Sequence, residues 1–89
     1  MKLELKKFGE LLISRPAGRE DWLAAKAYTL SSLKPQEKIE VSFEGVLVLT
    51  PSWADEFLTP LLKDYPQQVI LLPTDNATVI GTKETLKIS

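Results

Sequence analysis

Three side chains that could take part in chemistry or recognition lie within five residues of one another: Ser52, Asp55 and Glu56. They belong to segment 50–57, which follows the apolar run 46–49. The polar cluster is therefore expected where a buried strand passes into a helix. In open α/β sheets such junctions commonly bind ligands and partners, so this segment is the first candidate for a functional site.

Ser52 has a structural and a functional interpretation. Residues 52–55 have the Ser-x-x-Asp form of a helix cap, and Thr50 followed by Pro51 is a competing cap. Caps of this kind are common, which favours the structural interpretation. In the functional one, the hydroxyl is a phosphoacceptor or a docking group. A phosphate there would meet the positive end of the helix dipole, but also the two nearby carboxylates.

Asp55 and Glu56 are adjacent carboxylates in the first turn of the same predicted helix. The simpler interpretation is that they complement the helix dipole. The functional interpretation is an acidic docking patch for a basic partner. As a catalytic acid–base pair they are poor candidates, because sequence neighbours point about 100° apart around a helix.

Arg15 and Arg19 bracket residues 16–18. Three interpretations stay open: a solvated turn before a helix, an anion-binding turn in which Gly18 gives access to the backbone, and an ion pair between Arg15 and one of the carboxylates at 55–56. The spacing matches no Walker or dinucleotide motif. If exposed, Trp53 would be an interface anchor on the same edge, although most such tryptophans belong to the core.

Composition excludes several classes of site. The 89 residues contain no cysteine and no histidine, so disulfides, thiolate metal sites and Ser-His-Asp or Cys-His catalysis cannot be built within the chain. A net charge of −1 argues against a general nucleic-acid binder. Apolar runs are no longer than four residues, which predicts no membrane span and favours a cytoplasmic location. We expect no enzyme activity, metal or cofactor.

The first half of the chain predicts two short strands and a helix. Alternation from Leu3 and the apolar run 11–13 predict strands joined at a bend around residues 8–9. The helix is expected over residues 19–33, with a buried stripe formed by Leu23, Ala27 and Leu30.

The next segments predict a strand and the clearest helix. Residues 38–43 alternate like a strand, and the run 46–49 either extends it after a bulge at Gly45 or leads into the helix. That helix covers residues 52–65, and Pro60 should kink it.

The last segments predict a strand and a short helix. The apolar run 69–72 is expected to be a central strand buried on both faces. Asp75 or Asn76 could cap a short helix within residues 74–89. The order β-β-α-β-α-β-α predicts a single α/β domain over residues 1–89, a small mixed sheet with a parallel core and right-handed crossovers, covered by helices.

Four stretches also resemble one family. The bacterial STAS-like domains of unknown function, relatives of anti-sigma-factor antagonists, are similar in residues 8–15, 18–19, 39–46 and 51–57. The resemblance implies a domain that docks on proteins rather than one that catalyses a reaction. In phosphorylated relatives a serine at the start of the corresponding helix is the phosphoacceptor, and Ser52 has that place here. Trp53 stands where those relatives commonly have glycine, and Ser42 where the family often has aspartate.

The sequence and the resemblance together predict a protein-interaction module of bacterial regulation. We expect it to bind through a docking edge comprising Ser52, Asp55, Glu56, Trp53, Arg15 and Arg19. The resemblance implies a histidine-kinase-like ATPase as partner and phosphorylation of Ser52. The alternative is a sensor that binds a small ligand or an anion at the same edge.

Overall fold

The computed structural model describes residues 1–88, and Ser89, the end of the predicted tail segment, lies outside them. The α/β class is confirmed. The main elements are β1 (Lys2–Glu4), β2 (Leu11–Leu12), α1 (Arg15–Ala24), β3 (Ile39–Ser42), β4 (Val48–Leu49), α2 (Pro51–Asp64), β5 (Val69–Leu71) and α3 (Ala77–Leu86).

The strands form two small sheets, and the strand pairs among residues 1–88 are all parallel. One sheet has the order β1-β3-β5 and the other pairs β2 with β4. The expected single mixed sheet is divided into two, because the chain leaves the first sheet after β1 and again after β3. Residues 5–8 form a 3₁₀ turn between β1 and β2, and Gly45, with φ of 85°, lies in the turn between β3 and β4. Run 46–49 thus does not extend β3 through a bulge. Its last two residues form β4 and lead directly into α2, as the second sequence alternative predicted.

β3, rather than β5, is the central strand. Ile39 and Val41 of β3 are wholly buried, whereas β5 lies at the edge and Ile70 is 43% exposed. The prediction of a central strand at 69–72 was wrong, because an apolar run cannot distinguish a strand buried on both faces from an apolar edge strand.

Helix α1 begins at Arg15, four residues earlier than expected. The Ser14 side chain caps it by accepting a hydrogen bond from the Ala17 amide at 3.2 Å, and Pro16 fits the first turn, where its missing N–H costs nothing. The predicted buried stripe was partly wrong. Leu30 is buried as expected, but Leu23 is 52% exposed and Ala27 is exposed, and the other buried positions are Gly18, Trp22 and Ala25. Irregular helical turns continue the helix to Ser32.

Helix α2 supplies much of the core. Trp53, Ala54, Phe57, Leu58 and Leu61 are buried, and the rings of Trp53 and Phe57 stack with their centroids 4.7 Å apart. The helix stays continuous through Pro60. It packs against α1.

Helix α3 closes one side of the smaller sheet. Asn76 caps it, as one of the two sequence alternatives predicted, by accepting hydrogen bonds from the Thr78 and Val79 amides. The free edge of β4 is satisfied by α3, since the Leu49 amide donates to Thr78 Oγ1 at 3.1 Å and Thr82 Oγ1 donates to the Leu49 carbonyl at 2.8 Å. Within residues 1–88, no helix is both long enough and apolar enough to span a membrane.

Candidate functional site

The candidate site lies where two strand-to-helix junctions meet. Strands β2 and β4 are parallel neighbours, and each is followed within three residues by a helix. The beginnings of α1 and α2 therefore lie side by side at one end of the small sheet. A hydrogen bond from the Thr50 amide to the Leu12 carbonyl, at 3.0 Å, joins the two junctions directly.

Thr50, and not Ser52, caps α2. Its hydroxyl oxygen accepts a hydrogen bond from the Trp53 amide at 3.3 Å, and the same hydroxyl donates to the Ile13 carbonyl. Ser52 follows Pro51 inside the first turn, and its side chain is exposed. The capping interpretation of Ser52 was therefore wrong, and the competing cap at Thr50 is the one that forms. Ser52 is left accessible to a partner.

Replacing Thr50 with valine should destabilise the protein by about 1–2 kcal/mol, because the cap and the link to the Ile13 carbonyl are lost together. Ser52→Ala should change the free energy of unfolding by less than about 0.5 kcal/mol, as expected for an exposed surface residue. Urea denaturation followed by circular dichroism measures both. Equal losses in the two variants would contradict the cap assignment.

Arg15 bridges from α1 to the acidic pair on α2. Its Nη1 atom donates to Asp55 Oδ2 at 2.9 Å and to Glu56 Oε2 at 2.8 Å. Of the three interpretations of Arg15, the ion pair is the one present, and it includes both carboxylates. Asp55 also accepts a hydrogen bond from Thr59 Oγ1 at 2.9 Å. The half-buried acidic pair is thus partly neutralised and held in a defined position.

These contacts keep Asp55 ionised. The hydrogen bond from Arg15, followed by that from Thr59, lowers the pKa of Asp55 below its ordinary value, and the two carboxylates raise the pKa of Arg15. A carboxylate with a lowered pKa is the opposite of a general acid tuned towards neutral pH. The pair is suited to electrostatic recognition rather than to proton transfer.

Replacing Arg15 with glutamine should raise the pKa of Asp55 towards its ordinary value, which a carbon-detected NMR titration of the side-chain carboxyl measures. Because the folded-state pKa is lowered, the stabilisation from this pair is present above the pKa of the unfolded state, about 3.9. It is lost as pH falls through the folded-state value. The stability difference between wild type and variant should therefore vanish in strongly acidic solution. If the pKa of Asp55 were as low in the variant as in the wild type, Arg15 would not be the cause of the lowered value.

Gly18 does not offer its backbone to an anion. It is buried, and its amide donates to the Ser14 carbonyl at 3.0 Å as part of the first helical turn. A Cβ atom at this position would lie 2.5 Å from the Trp53 carbonyl oxygen, so the glycine allows α1 and α2 to approach closely. Of the three interpretations of segment 15–19, the anion-binding turn with backbone access at Gly18 is therefore not the one present, because residues 15–18 are helical and packed.

Arg19 lies one turn beyond Arg15 on α1 and is exposed. Together with Asp55, Glu56 and the apolar side chains of α1, it lines a cleft of about 290 Å³ between the two helices. The cleft extends the docking edge along the helix pair and adds apolar surface to it.

Trp53 is wholly buried, with 0% exposure, so the prediction that it anchors a partner on the surface was wrong. It follows the cap directly and its ring packs inward against Phe57, while its Nε1 donates to Asp21 Oδ2 at 3.0 Å. Burial raises the pKa of Asp21, and the hydrogen bond from Trp53 opposes that effect. Trp53 and Asp21 therefore fix the two helices that carry the docking edge. Sequence reasoning missed Asp21 because its partner is 32 residues away.

In the part of the chain that the structure describes, the arrangement offers an exposed hydroxyl, an ion-paired acidic pair and the exposed Arg19 side chain on two packed helices. Within residues 1–88, histidine, cysteine and carboxylate side chains do not form a group of three that could hold a metal ion. The chemistry on offer is hydrogen bonding and charge pairing with another molecule.

A protein-family model matches residues 26–77, which include β3, β4, α2 and β5, and its description is STAS-like domain of unknown function (DUF4325). The chain belongs to this family. Comparison with curated proteins and with solved structures finds no match. The family resemblance of segments 39–46 and 51–57 is thereby confirmed. The STAS-like match contains Ser52 and both carboxylates of the acidic pair, while Arg15 and Arg19 precede it.

Proposed function

We propose that this STAS-like domain is a non-enzymatic regulatory module that binds a protein partner through the docking edge. The buried Trp53 is not part of that contact surface. The observation that carries the proposal is the ion pair of Arg15 with Asp55 and Glu56 beside the exposed hydroxyl of Ser52. The edge is built on packed helices, so a partner would meet it without first having to order it.

We further propose that Ser52 is the phosphoacceptor of a partner switch and that the partner is a histidine-kinase-like ATPase. Ser52 lies three and four residues before the carboxylates of Asp55 and Glu56, so the three side chains share one helix surface. Arg15 offsets the repulsion those carboxylates would exert on a phosphate, and the helix N-terminus attracts it. A phosphate would also compete for Arg15, which would rearrange the edge that the partner reads.

The direct test uses purified domain, a histidine-kinase-like ATPase from the same genome and ATP, with mass spectrometry of the product. The proposal expects one phosphate on Ser52 and none in Ser52→Ala. The matched variant Ser31→Ala, at an exposed serine in the 3₁₀ turn Leu30–Ser32, should be phosphorylated like wild type. Absence of phosphate together with unaltered binding of Ser52→Ala would exclude the switch.

The docking edge itself is tested separately from phosphorylation. Glu56→Lys reverses a charge at the edge, and Glu84→Lys reverses one on the exposed side of α3. We expect the first to weaken binding to the kinase at least tenfold, and the second to leave it unchanged, in isothermal titration calorimetry. Equal binding by both variants would place the interface elsewhere.

The alternative proposal, an anion-binding sensor at the same edge, has less support. The Arg15 guanidinium is occupied by two carboxylates, and the Gly18 amide by the Ser14 carbonyl. A thermal-shift panel of nucleotides and inorganic anions tests it, because a ligand that binds the folded state raises Tm by mass action. A rise in Tm that Arg15→Gln abolishes would favour the sensor over the protein-binding module.

A further inference from the structure

A second surface, separate from the docking edge, lies on the β1-β3-β5 sheet. Side chains of Leu3, Val41 and Leu71 point from this sheet into the core. Because side chains alternate along a strand, their neighbours in register point to the opposite face. We call this opposite side the open sheet face. It carries Lys2, Glu4, Glu40, Ser42 and Ile70, and Leu72, directly after β5, lies beside Lys2 and Ser42.

The open sheet face is unusual for a parallel sheet. All-parallel sheets generally have both faces covered, most often by helices. Here α1 and α2 pack with the core on one side, while Lys2 and Glu40 are exposed on the other and Ile70 is 43% exposed. An apolar side chain therefore lies at the position that a covering element would normally bury.

The carboxyl ends of β3 and β5 form a hollow in this face. Lys2, Ser42, Glu44 and segment 72–75 line an open cavity of about 600 Å³. Ser42 is almost fully buried at its floor, and its Oγ accepts a hydrogen bond from the Glu44 amide at 3.3 Å. Leu72 adds apolar surface between the polar groups. The face thus combines an apolar strip with a depression that could receive a side chain.

The face carries an excess of carboxylates. Glu4, Glu40, Glu44 and Asp75 surround it, against Lys2 on the face and Lys38, which directly precedes β3 and donates to the Gln67 carbonyl. A second copy of the chain would bring the same excess of carboxylates against its own, which opposes a symmetric dimer through this face. A basic partner would be complementary.

We propose that the open sheet face docks an amphipathic helix of a partner protein, with apolar residues on one side flanked by lysine and arginine. Three strands spaced about 4.8 Å apart make the open sheet face roughly 10 Å wide. One α-helix of about 10 Å diameter would cover that width. Ile70 and Leu72 meet the apolar side of that helix, and the surrounding carboxylates pair with its basic flanks. The surface shares no residue with the docking edge and does not depend on phosphorylation of Ser52.

The test uses a fluorescein-labelled helical peptide of leucine and lysine, about 14 residues long, so that it spans ~21 Å as a helix. Fluorescence anisotropy measures its affinity for wild type and for the variants Glu40→Lys and Ile70→Ser. Each variant should bind about tenfold more weakly or worse. Glu20→Lys, the same charge reversal on the exposed side of α1, should bind like wild type. Circular dichroism confirms that each variant is folded.

Two peptide controls separate this site from general charge attraction. A permuted peptide of the same composition without an amphipathic pattern should bind about tenfold more weakly, and a leucine–glutamate peptide should not bind. Equal weakening by Glu40→Lys and Glu20→Lys, or equal binding of the permuted peptide, would overturn the proposal.

Two further outcomes assign the surface differently. A dimer seen by light scattering and abolished by Ile70→Ser would show that a second copy covers the face, which would overturn the proposal. Loss of peptide binding in Glu56→Lys with unaltered binding in Ile70→Ser would also overturn it, since the peptide would then bind the docking edge. Loss of peptide binding in Ile70→Ser, with unaltered binding in Glu56→Lys, supports the open sheet face even if Ser52 proves not to be phosphorylated.

Discussion

Alanine in place of Gly18 is expected to destabilise the protein by about 2–3 kcal/mol, which corresponds to a fall in Tm of roughly 10 °C or more for a chain of this size. Alanine is the better helix former by up to about 1 kcal/mol, so the local preference favours the variant. The new Cβ would, however, lie 2.5 Å from the Trp53 carbonyl oxygen and 3.0 Å from its Cα. These are backbone atoms of α2 that cannot rotate away, and the helices must separate.

Gly81 provides the matched control for Gly18. It also lies within a helix, but a Cβ there would meet nothing within 4 Å. Gly81→Ala should therefore leave Tm unchanged or raise it by a few degrees, since only the helix preference remains. Thermal unfolding followed by circular dichroism compares the two. A Gly18→Ala variant as stable as Gly81→Ala would show that the helices do not pack as closely as described.

Alanine in place of Phe57 is expected to cost about 3–5 kcal/mol, the usual loss for removing a fully buried aromatic ring. Phe57 is 0% exposed, and its ring centroid lies 4.7 Å from that of Trp53, 5.1 Å from Phe8 and 5.9 Å from Trp22. These four rings join both helices to the first turn of the chain. Domains of this size are stable by only about 5–15 kcal/mol, so the variant should lose much of its cooperative unfolding transition.

Leu23→Ala is the control for the Phe57 variant. Leucine at 23 fits the helical apolar spacing in the sequence, yet it is half-exposed beside the cleft between α1 and α2. Its truncation should cost less than about 1 kcal/mol. Urea denaturation measures both losses. A loss for Leu23 as large as that for Phe57 would indicate that Leu23 is buried, as the sequence-predicted stripe of α1 requires.

Sequence reasoning succeeded where local signals were strong. The apolar spacing from Ala54 to Leu61 locates α2, and Asn76 before a short helix is a recognisable cap. The ion pair of Arg15 with the acidic pair was one of three interpretations, and charge alone could not choose among them. The choice depends on α1 lying beside α2, which is a property of the packed chain.

The failures have a common physical origin in contacts distant along the sequence. Pro16 and Gly18 resemble a turn, but Pro16 fits the first turn of a helix and Gly18 is required by the backbone of Trp53, 35 positions later. The sequence pattern also does not indicate that β2 and β4 pair with each other in a second sheet, because period-two spacing does not reveal which strand is the neighbour. Burial of Trp53 likewise depends on distant residues, since its ring packs near Phe8 and its Nε1 donates to Asp21 Oδ2 across the helix pair.

The polar side chains of α3 have a consequence for self-association. Unpaired strand edges are templates on which further chains can add as strands, the first step of polymerisation into fibrils. Hydroxyls of Thr78 and Thr82 occupy the outward amide and carbonyl of Leu49, and the Asn76 amide occupies the carbonyls of Val46 and Leu47. Growth of the smaller sheet past β4 is thereby blocked by three side chains rather than by another strand.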